Sequence, residues 1–144
     1  TGSAHNKDGW LRKNDAETLD VLRHLEAKVD ARARDMAMVT RDLQEDADAL
    51  VVSYGITSRA AREAVRLGRA AGRRRPFLGL LTLFPIPVEA IREAARTARR
   101  VVVAEENLSG LYRKVLAGAL PGIELHGVNT LGAMLRPAEI LEAL

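Results

Sequence analysis

The sequence predicts an α/β domain of three layers on a mostly parallel sheet of about five strands, preceded by an extended arm and a long helix. Four short apolar runs, at residues 49–54, 76–83, 101–104 and 123–128, have the length and composition of strands buried on both faces. Helically spaced stretches bounded by Gly and Pro separate them, and strands joined by helical crossovers pair in parallel through right-handed connections. The pattern changes near Asp48, which divides the chain into an arm and linker helix over 1–47 and an α/β domain over 48–144.

The first thirteen residues are polar, contain two glycines and show no periodicity, as an extended arm does; Trp10 reads as its hydrophobic anchor. Asn14 with Glu17 three residues later has the form of a capping box. Leu22, Val29, Met36 and Leu43 then recur every seven residues, supported by Leu25, Ala33 and Val39, which predicts an amphipathic helix from Asp15 to Asp46 with a possible break midway. A helix of that length would extend about 45 Å, so part of its stripe is expected to pack on something outside this chain, a second copy included. A free coiled coil is the weaker rival, with Arg32 and Thr40 near its seam.

From Asp48 onward the punctuation is regular. Gly55 ends the first run, and Ser58 caps a helix that Gly72 stops and that buries Ala61, Ala64, Val65 and Gly68. Phe84-Pro85-Ile86-Pro87 is a rigid turn, with Pro87 in the first turn of a helix facing inward through Val88, Ile91, Ala95 and Ala98. The run Val101–Ala104 leads to a helix from Ser109 to about Leu120. Pro121-Gly122 turns into Ile123–Val128, and Pro137–Leu144 is a closing helix.

Composition removes several function classes. No apolar run approaches the roughly 20 residues of a membrane span; a cytoplasmic location, with no signal peptide and no membrane partner, is expected. The absence of Met before Thr1-Gly2-Ser3 predicts a piece of a longer chain or a tag scar. With no cysteine there is no disulfide, cysteine nucleophile or thiolate-held cluster. Residues 1–48 carry 8 basic and 11 acidic side chains, whereas residues 49–144 carry 14 and 8. The basic half, with Arg73-Arg74-Arg75, has no interleaved aromatics on which bases would stack, so it reads as a solvated arginine surface and not a nucleic-acid interface.

The stretch Val101–Gly110 holds the densest chemistry: an apolar run followed by Glu105, Glu106, Asn107, Ser109 and Gly110. Ligands of open α/β sheets meet such carboxyl-terminal strand ends. Adjacent residues on a strand point to opposite faces, so Glu105 and Glu106 do not form one carboxylate dyad; interface hydrogen bonding, or capping of the next helix together with Asn107, is the favoured reading. Ser58 and Ser109 mark helix starts where anions bind, but neither stretch matches a dinucleotide or Walker fingerprint. His5, His24 and His126 lack metal-ligand spacing. His24 is expected on a helix surface and His126 in an edge strand, while Met36 and Met38 read as packing.

Several segments resemble one family. Val51-Val-Ser-Tyr-Gly55 before Thr57-Ser-Arg-Ala-Ala-Arg-Glu-Ala64 is similar to its apolar strand, Tyr-Gly pair and following helix, and Thr82-Leu-Phe-Pro-Ile-Pro87 to its turn. Val101–Tyr112 resembles its Val-Val-x-Glu-x-Asn-x-x-Gly-Gln segment, and Asn129-Thr-Leu-Gly132 with Arg136-Pro137-Ala-Glu139-Ile140 its closing motif. The arm, Thr1-Gly-Ser-Ala-His5-Asn6 with Gly9, resembles the segment that precedes the helix. The family is the α subunit of 2-oxoacid:ferredoxin oxidoreductases, and the matching part is its transketolase C-terminal-like domain II. Three departures stand out: Leu111 replaces the Gln after Gly110, Ala4 the Glu before His5, and Thr130 the Lys after Asn129.

The resemblance implies an enzyme complex that oxidatively decarboxylates a 2-oxoacid to its acyl-CoA with thiamine diphosphate, Mg and an iron–sulfur cluster, passing electrons to ferredoxin. It implies as partners the remaining α-subunit domains, the β subunit and ferredoxin, with coenzyme A and the 2-oxoacid as substrates, and allows a homodimer. No catalytic, metal or cofactor-binding residue is expected in these 144 residues, which lack the Gly-Asp-Gly…Asn metal–diphosphate motif. The interface candidates are Glu105, Glu106, Asn107, Ser109, Gly110, His5 and Asn6. The alternatives are the equivalent domain of another thiamine enzyme, transketolase-like or a 2-oxoacid dehydrogenase β subunit, and a free-standing interaction or anion-binding module using Ser58 and Ser109.

Overall fold

The computed structural model describes residues 3–144 and divides into two compact units, one ending at Met36 and one running from Ala37 to Leu144. Thr1 and Gly2, which open the arm motif, lie outside the described residues.

The first unit begins with a small hairpin, β1 (Ala4–His5) and β2 (Leu11–Arg12), in antiparallel register. Its turn closes through Asn6, whose side-chain Oδ1 accepts the Trp10 N–H at 2.9 Å, and through Gly9 at φ +83°. Helix α1 (Ala16–Asp30) follows. Its cap is Asp15 and not Asn14, which sits at φ +50°. The Asp15 carboxylate accepts both the N–H and the hydroxyl of Thr18, and these bonds hold its pKa below the ordinary carboxylate value.

The long helix expected to reach Asp46 stops far short of it. After α1 comes a single turn, α2 (Ala33–Met36), and then a strand, β3 (Val39–Asp42). A seven-residue recurrence placed Val39 and Leu43 on a helical stripe, but both pack against the sheet core of the second unit. Residues 37–47 thus lie with the α/β unit, upstream of the expected boundary at 48.

The second unit continues with β4 (Ala47–Tyr54), α3 (Thr57–Ala70), β5 (Phe77–Leu80), α4 (Val88–Ala95), β6 (Ala98–Glu105), α5 (Leu111–Ala119), β7 (Leu125–Asn129) and α6 (Pro137–Glu142). The sheet order is β3-β5-β4-β6-β7; β3 is antiparallel and the other pairings are parallel. The five mostly parallel strands are those expected in number, with an edge strand taken from the predicted helix. The run at 76–83 yields only four strand residues, because its partners run out at Leu80, which faces Val39 at the start of β3 and Tyr54 at the end of β4; the last strand begins two residues later than expected.

Two apolar layers hold this sheet. On one side Val51, Phe77 and Ala104 meet Ala61, Ala64 and Val65 of α3 and Ile140 of α6. On the other, Leu50, Val52, Leu78, Val101 and Val103 meet Ile91 and Ala94 of α4 and Tyr112 and Leu116 of α5. The small residues of α3 let its backbone approach closely. Arg62 stacks its guanidinium 4.8 Å above the Phe77 ring and donates to Thr40 Oγ1 at 2.8 Å, tying α3 to the antiparallel edge.

Gly79 opposes Thr40 in that edge pairing. A Cβ at 79 would collide with Thr40 Oγ1 and stand 3.0 Å from the Phe77 ring. Gly79→Ala is therefore expected to cost about 1–3 kcal/mol by overpacking, read as a lower urea midpoint, and Thr40→Ala in the same chain to restore part of it. Strictly additive losses would show that the clash does not govern this edge.

Candidate functional site

Sheet order places the topological switch between β4 and β6. The chain leaves β4 through α3 for β5 on one side, and leaves β6 through α5 for β7 on the other. Ligands of open α/β sheets collect outside the carboxyl ends of strands at such a point. Ser53 pairs with Ala104, so Tyr54 and Glu105 end neighbouring strands there.

The crevice is filled from within. Glu105 is fully buried, and its carboxylate accepts four hydrogen bonds: from the Tyr54 hydroxyl at 3.0 Å, the Asn107 amide, and the backbone N–H groups of Tyr112 at 2.9 Å and Arg113 at 3.0 Å. Three of these bonds fall on Oε2 and the Arg113 N–H on Oε1. The last two donors belong to the first turn of α5, so Glu105 stands where a phosphate would otherwise meet this helix N-terminus. Asn107 Oδ1 accepts a third first-turn N–H, that of Leu111, at 2.8 Å. Glu105 and Asn107 together cap α5, and the Ser109 start gives way to Gly110 at φ +64° with the helix beginning at Leu111.

Glu106 points elsewhere, as strand alternation requires: its Oε1 accepts the Leu135 N–H at 3.2 Å and ties the loop before α6 to the same turn. Asn129, at the end of β7, donates to the Leu108 carbonyl at 2.8 Å. Gly110 and Gly127 keep room for Arg113, whose Nε lies 3.2 Å and 2.5 Å from where a Cβ on each would stand. Ser109 and Leu111 are exposed. His5 and Asn6 belong to the hairpin of the first unit, where His5 is exposed and the Asn6 side chain is engaged in the turn. Ser58 makes no side-chain cap at α3. His126 lies in the edge strand β7 and pairs with Glu124 at 3.1 Å.

Two tyrosines frame the carboxylate. Their rings meet edge to face at 5.2 Å, and the Tyr112 hydroxyl donates to the Leu83 carbonyl at 3.0 Å. Burial pushes the Tyr54 phenol up to about 12, with the Glu105 carboxylate adding to the shift. Burial likewise pushes Tyr112 up to about 12, with Tyr54 adding to it. From sequence alone, Tyr54 and Tyr112 have no role beyond a strand end and a motif. Their meeting depends on the β4–β6 register, which no local pattern encodes.

The surroundings are apolar and open. Phe84 and Leu81 after β5, Leu108 after β6, and Leu131 and Met134 after β7 are 65–78% exposed. All lie in loops at the carboxyl ends of the parallel strands, and the last two line a cavity of about 380 Å³ beside Glu106. No three His, Cys, Asp or Glu side chains among the described residues gather as metal ligands. No helix is long and apolar enough to cross a membrane among them. With no cysteine in the sequence and Glu105 already spent on α5, these residues do not fit an iron–sulfur cluster or a metal–diphosphate group.

Glu105→Gln keeps the shape but replaces an acceptor oxygen by a donor facing donors. It is expected to cost about 2–3 kcal/mol in urea unfolding, and Tyr54→Phe about 1 kcal/mol; equal stability of all three chains would remove Glu105 from its role. The chain's only two tyrosines are both in this cluster. In the folded protein they hold their protons to about pH 12, whereas the unfolded chain releases them near the ordinary value of 10. Stability from this source is complete below pH 10 and falls as pH rises from 10 toward 12. Absorbance at 295 nm is expected to show no tyrosinate step near pH 10 in the native protein; a step there would place the phenols in water.

Comparison with known proteins now adds to this geometry. The chain is 31% identical over its full length to 2-oxoglutarate synthase subunit KorA of Methanothermobacter marburgensis, covering 39% of that protein. It is 36% identical over 71% of its length to ketoisovalerate oxidoreductase subunit VorB of Methanothermobacter thermautotrophicus, covering 29% of that protein. It thus spans about two fifths or less of these curated relatives. The fold superposes on 2-oxoglutarate:ferredoxin oxidoreductase from Magnetococcus marinus with a TM-score of 0.78 at 20% identity, over 99% of this chain and 25% of that one. A split-gene transketolase shares 74% of the chain at TM-score 0.59 and 25% identity, over 39% of its own length. Residues 47–129, from the first core strand to the end of the last, match the family model for pyruvate:ferredoxin oxidoreductase core domain II, and to that family the chain belongs.

Proposed function

We propose that this chain is the C-terminal docking part of the α subunit of a 2-oxoacid:ferredoxin oxidoreductase. The whole enzyme would oxidatively decarboxylate a 2-oxoacid to its acyl-CoA with ferredoxin as electron acceptor. The observation that carries the reading is the apolar edge: Phe84, Leu108, Leu131 and Met134 stand exposed on the carboxyl ends of the strands. Exposed apolar side chains gathered on one edge mark a surface made to be covered. A chain spanning 39% of a relative that aligns with all of it leaves the remaining three fifths to supply the cover.

In this reading the switch-point carboxylate is a positioning group. Glu105 and Asn107 fix the loop that presents Leu108, Glu106 ties the neighbouring loop to it, and the reacting groups come from elsewhere in the complex. Thiamine diphosphate, magnesium and the iron–sulfur cluster would be held by the remaining α-subunit domains and the β subunit. Support for a 2-oxoacid substrate and coenzyme A comes from the names of the relatives, two of which act on 2-oxoglutarate.

The test uses the assembled enzyme. Phe84→Asp with Leu108→Asp is expected to open this part of the assembled α subunit to limited proteolysis and cut 2-oxoacid-dependent ferredoxin reduction at least tenfold. The same pair should leave the melting temperature of the 144-residue chain unchanged, since both side chains are exposed. Undiminished protease resistance and turnover would overturn the docking role, as would tight binding of thiamine diphosphate by the 144-residue chain alone.

A further inference from the structure

The opposite end of the sheet has the opposite chemistry. Arg75 lies just before β5, Asp48 at the start of β4, and Arg99 and Arg100 at the start of β6. A cavity of about 650 Å³ opens among them, walled by the end of α3 and by Leu141 and Leu144. That volume suits a ligand of nucleotide size.

Arg75 is the unusual residue. It is only 5% exposed, and Gly68 makes room for it, a Cβ there standing 3.0 Å from Arg75 Cγ. Its Nη2 donates to the Leu144 carbonyl at 2.9 Å, but Nε and Nη1 are buried without a hydrogen-bond partner. The Asp48 carboxylate stands 3.6 Å from Nη1 and 3.8 Å from Arg73 Nη1, longer than a direct charged hydrogen bond. It screens the two cations without satisfying either. Burial lowers the Arg75 pKa first; Asp48 opposes that shift, and Arg73 and Arg100 add to it. Arg73, Arg75 and Arg100 thus gather with Asp48 around a cavity; Arg100 Nη2 donates to the Ala143 and Leu144 carbonyls, and two buried donors of Arg75 are left over. Buried donors are almost always satisfied, and a guanidinium N–H pairs well with a phosphate oxygen.

We propose that this cavity binds a small organic phosphate, its oxyanion held by the unpartnered donors of Arg75 together with Arg73, and its organic part against Leu141 and Leu144. The site lies at the far end of the strands from the docking edge and does not depend on the docking role. An acidic protein surface is the less suitable occupant, because the orphan donors are recessed and a protein carboxylate would have to enter a cavity to reach them.

Calorimetric titration of the 144-residue chain with pyrophosphate, ADP and malonate at low ionic strength tests this. Pyrophosphate and ADP are expected to bind saturably at one site, ADP at least as tightly because of its organic part, and malonate at least tenfold more weakly. Arg73→Ala, at an exposed position, should weaken ADP binding about tenfold with an unchanged melting temperature. Asp48→Asn should tighten it by removing the competing carboxylate. No saturable binding, affinity that Arg73→Ala leaves unchanged, or malonate binding as tightly as ADP would each overturn the proposal.

Discussion

The second unit depends on one buried carboxylate. Glu105 ends the interior strand β6 with no exposure to water, and its carboxylate accepts from a phenol of the neighbouring strand, an amide of its own turn, and two backbone N–H groups of the next helix. A buried carboxylate is costly unless its lone pairs are filled, and here they are filled by groups from three elements. That requirement locks β4, β6 and α5 into one arrangement. Replacing the group with a bound anion would leave the helix start dependent on a ligand; the chain supplies the anion itself.

Filling the switch point internally changes what the carboxyl edge is for. In folds that use this crevice for cofactors, the helix N-terminus and the strand ends face the ligand. Here they face Glu105, and the loops around it carry Leu81, Phe84, Leu108, Leu131 and Met134 outward instead. The edge has kept the rigidity of a binding site and exchanged its polar lining for an apolar one. A protein surface is the natural counterpart of such an edge.

The elements of the sheet were legible where composition is unambiguous. The Val-rich runs that became β4 and β6, the Gly and Pro punctuation, and the Ala-rich face of α3 each have one reading. The chain from Asp30 to Asp46 had two. Leu22, Val29, Met36 and Leu43 satisfy a helical seam, yet Val39 and Thr40 are equally at home on an edge strand, and only the free edge of β5 with Gly79 opposite Thr40 decides between them. At the site, the opposite directions of Glu105 and Glu106 followed from strand alternation. The partnership of Tyr54 with Glu105 did not, because a parallel register 51 residues apart leaves no local trace. Asp15 displaced Asn14 as a cap for a similar reason: Asn14 turned left-handed, and the next side chain reached the free N–H groups.

Leu111 shows how a departure from the family pattern fits this arrangement. The position resembles one where the family carries glutamine, and its backbone N–H is already taken by Asn107. A side chain here has no capping duty, because Glu105 and Asn107 discharge it. It is therefore free to vary with whatever faces it, and in this chain it is 61% exposed and apolar, beside Leu108 in the same loop-to-helix turn. Its exposed apolar side chain adds to the apolar surface formed by Phe84 and Leu108. The carboxylate holds the frame constant, and the residues around it set the character of the face that the frame presents.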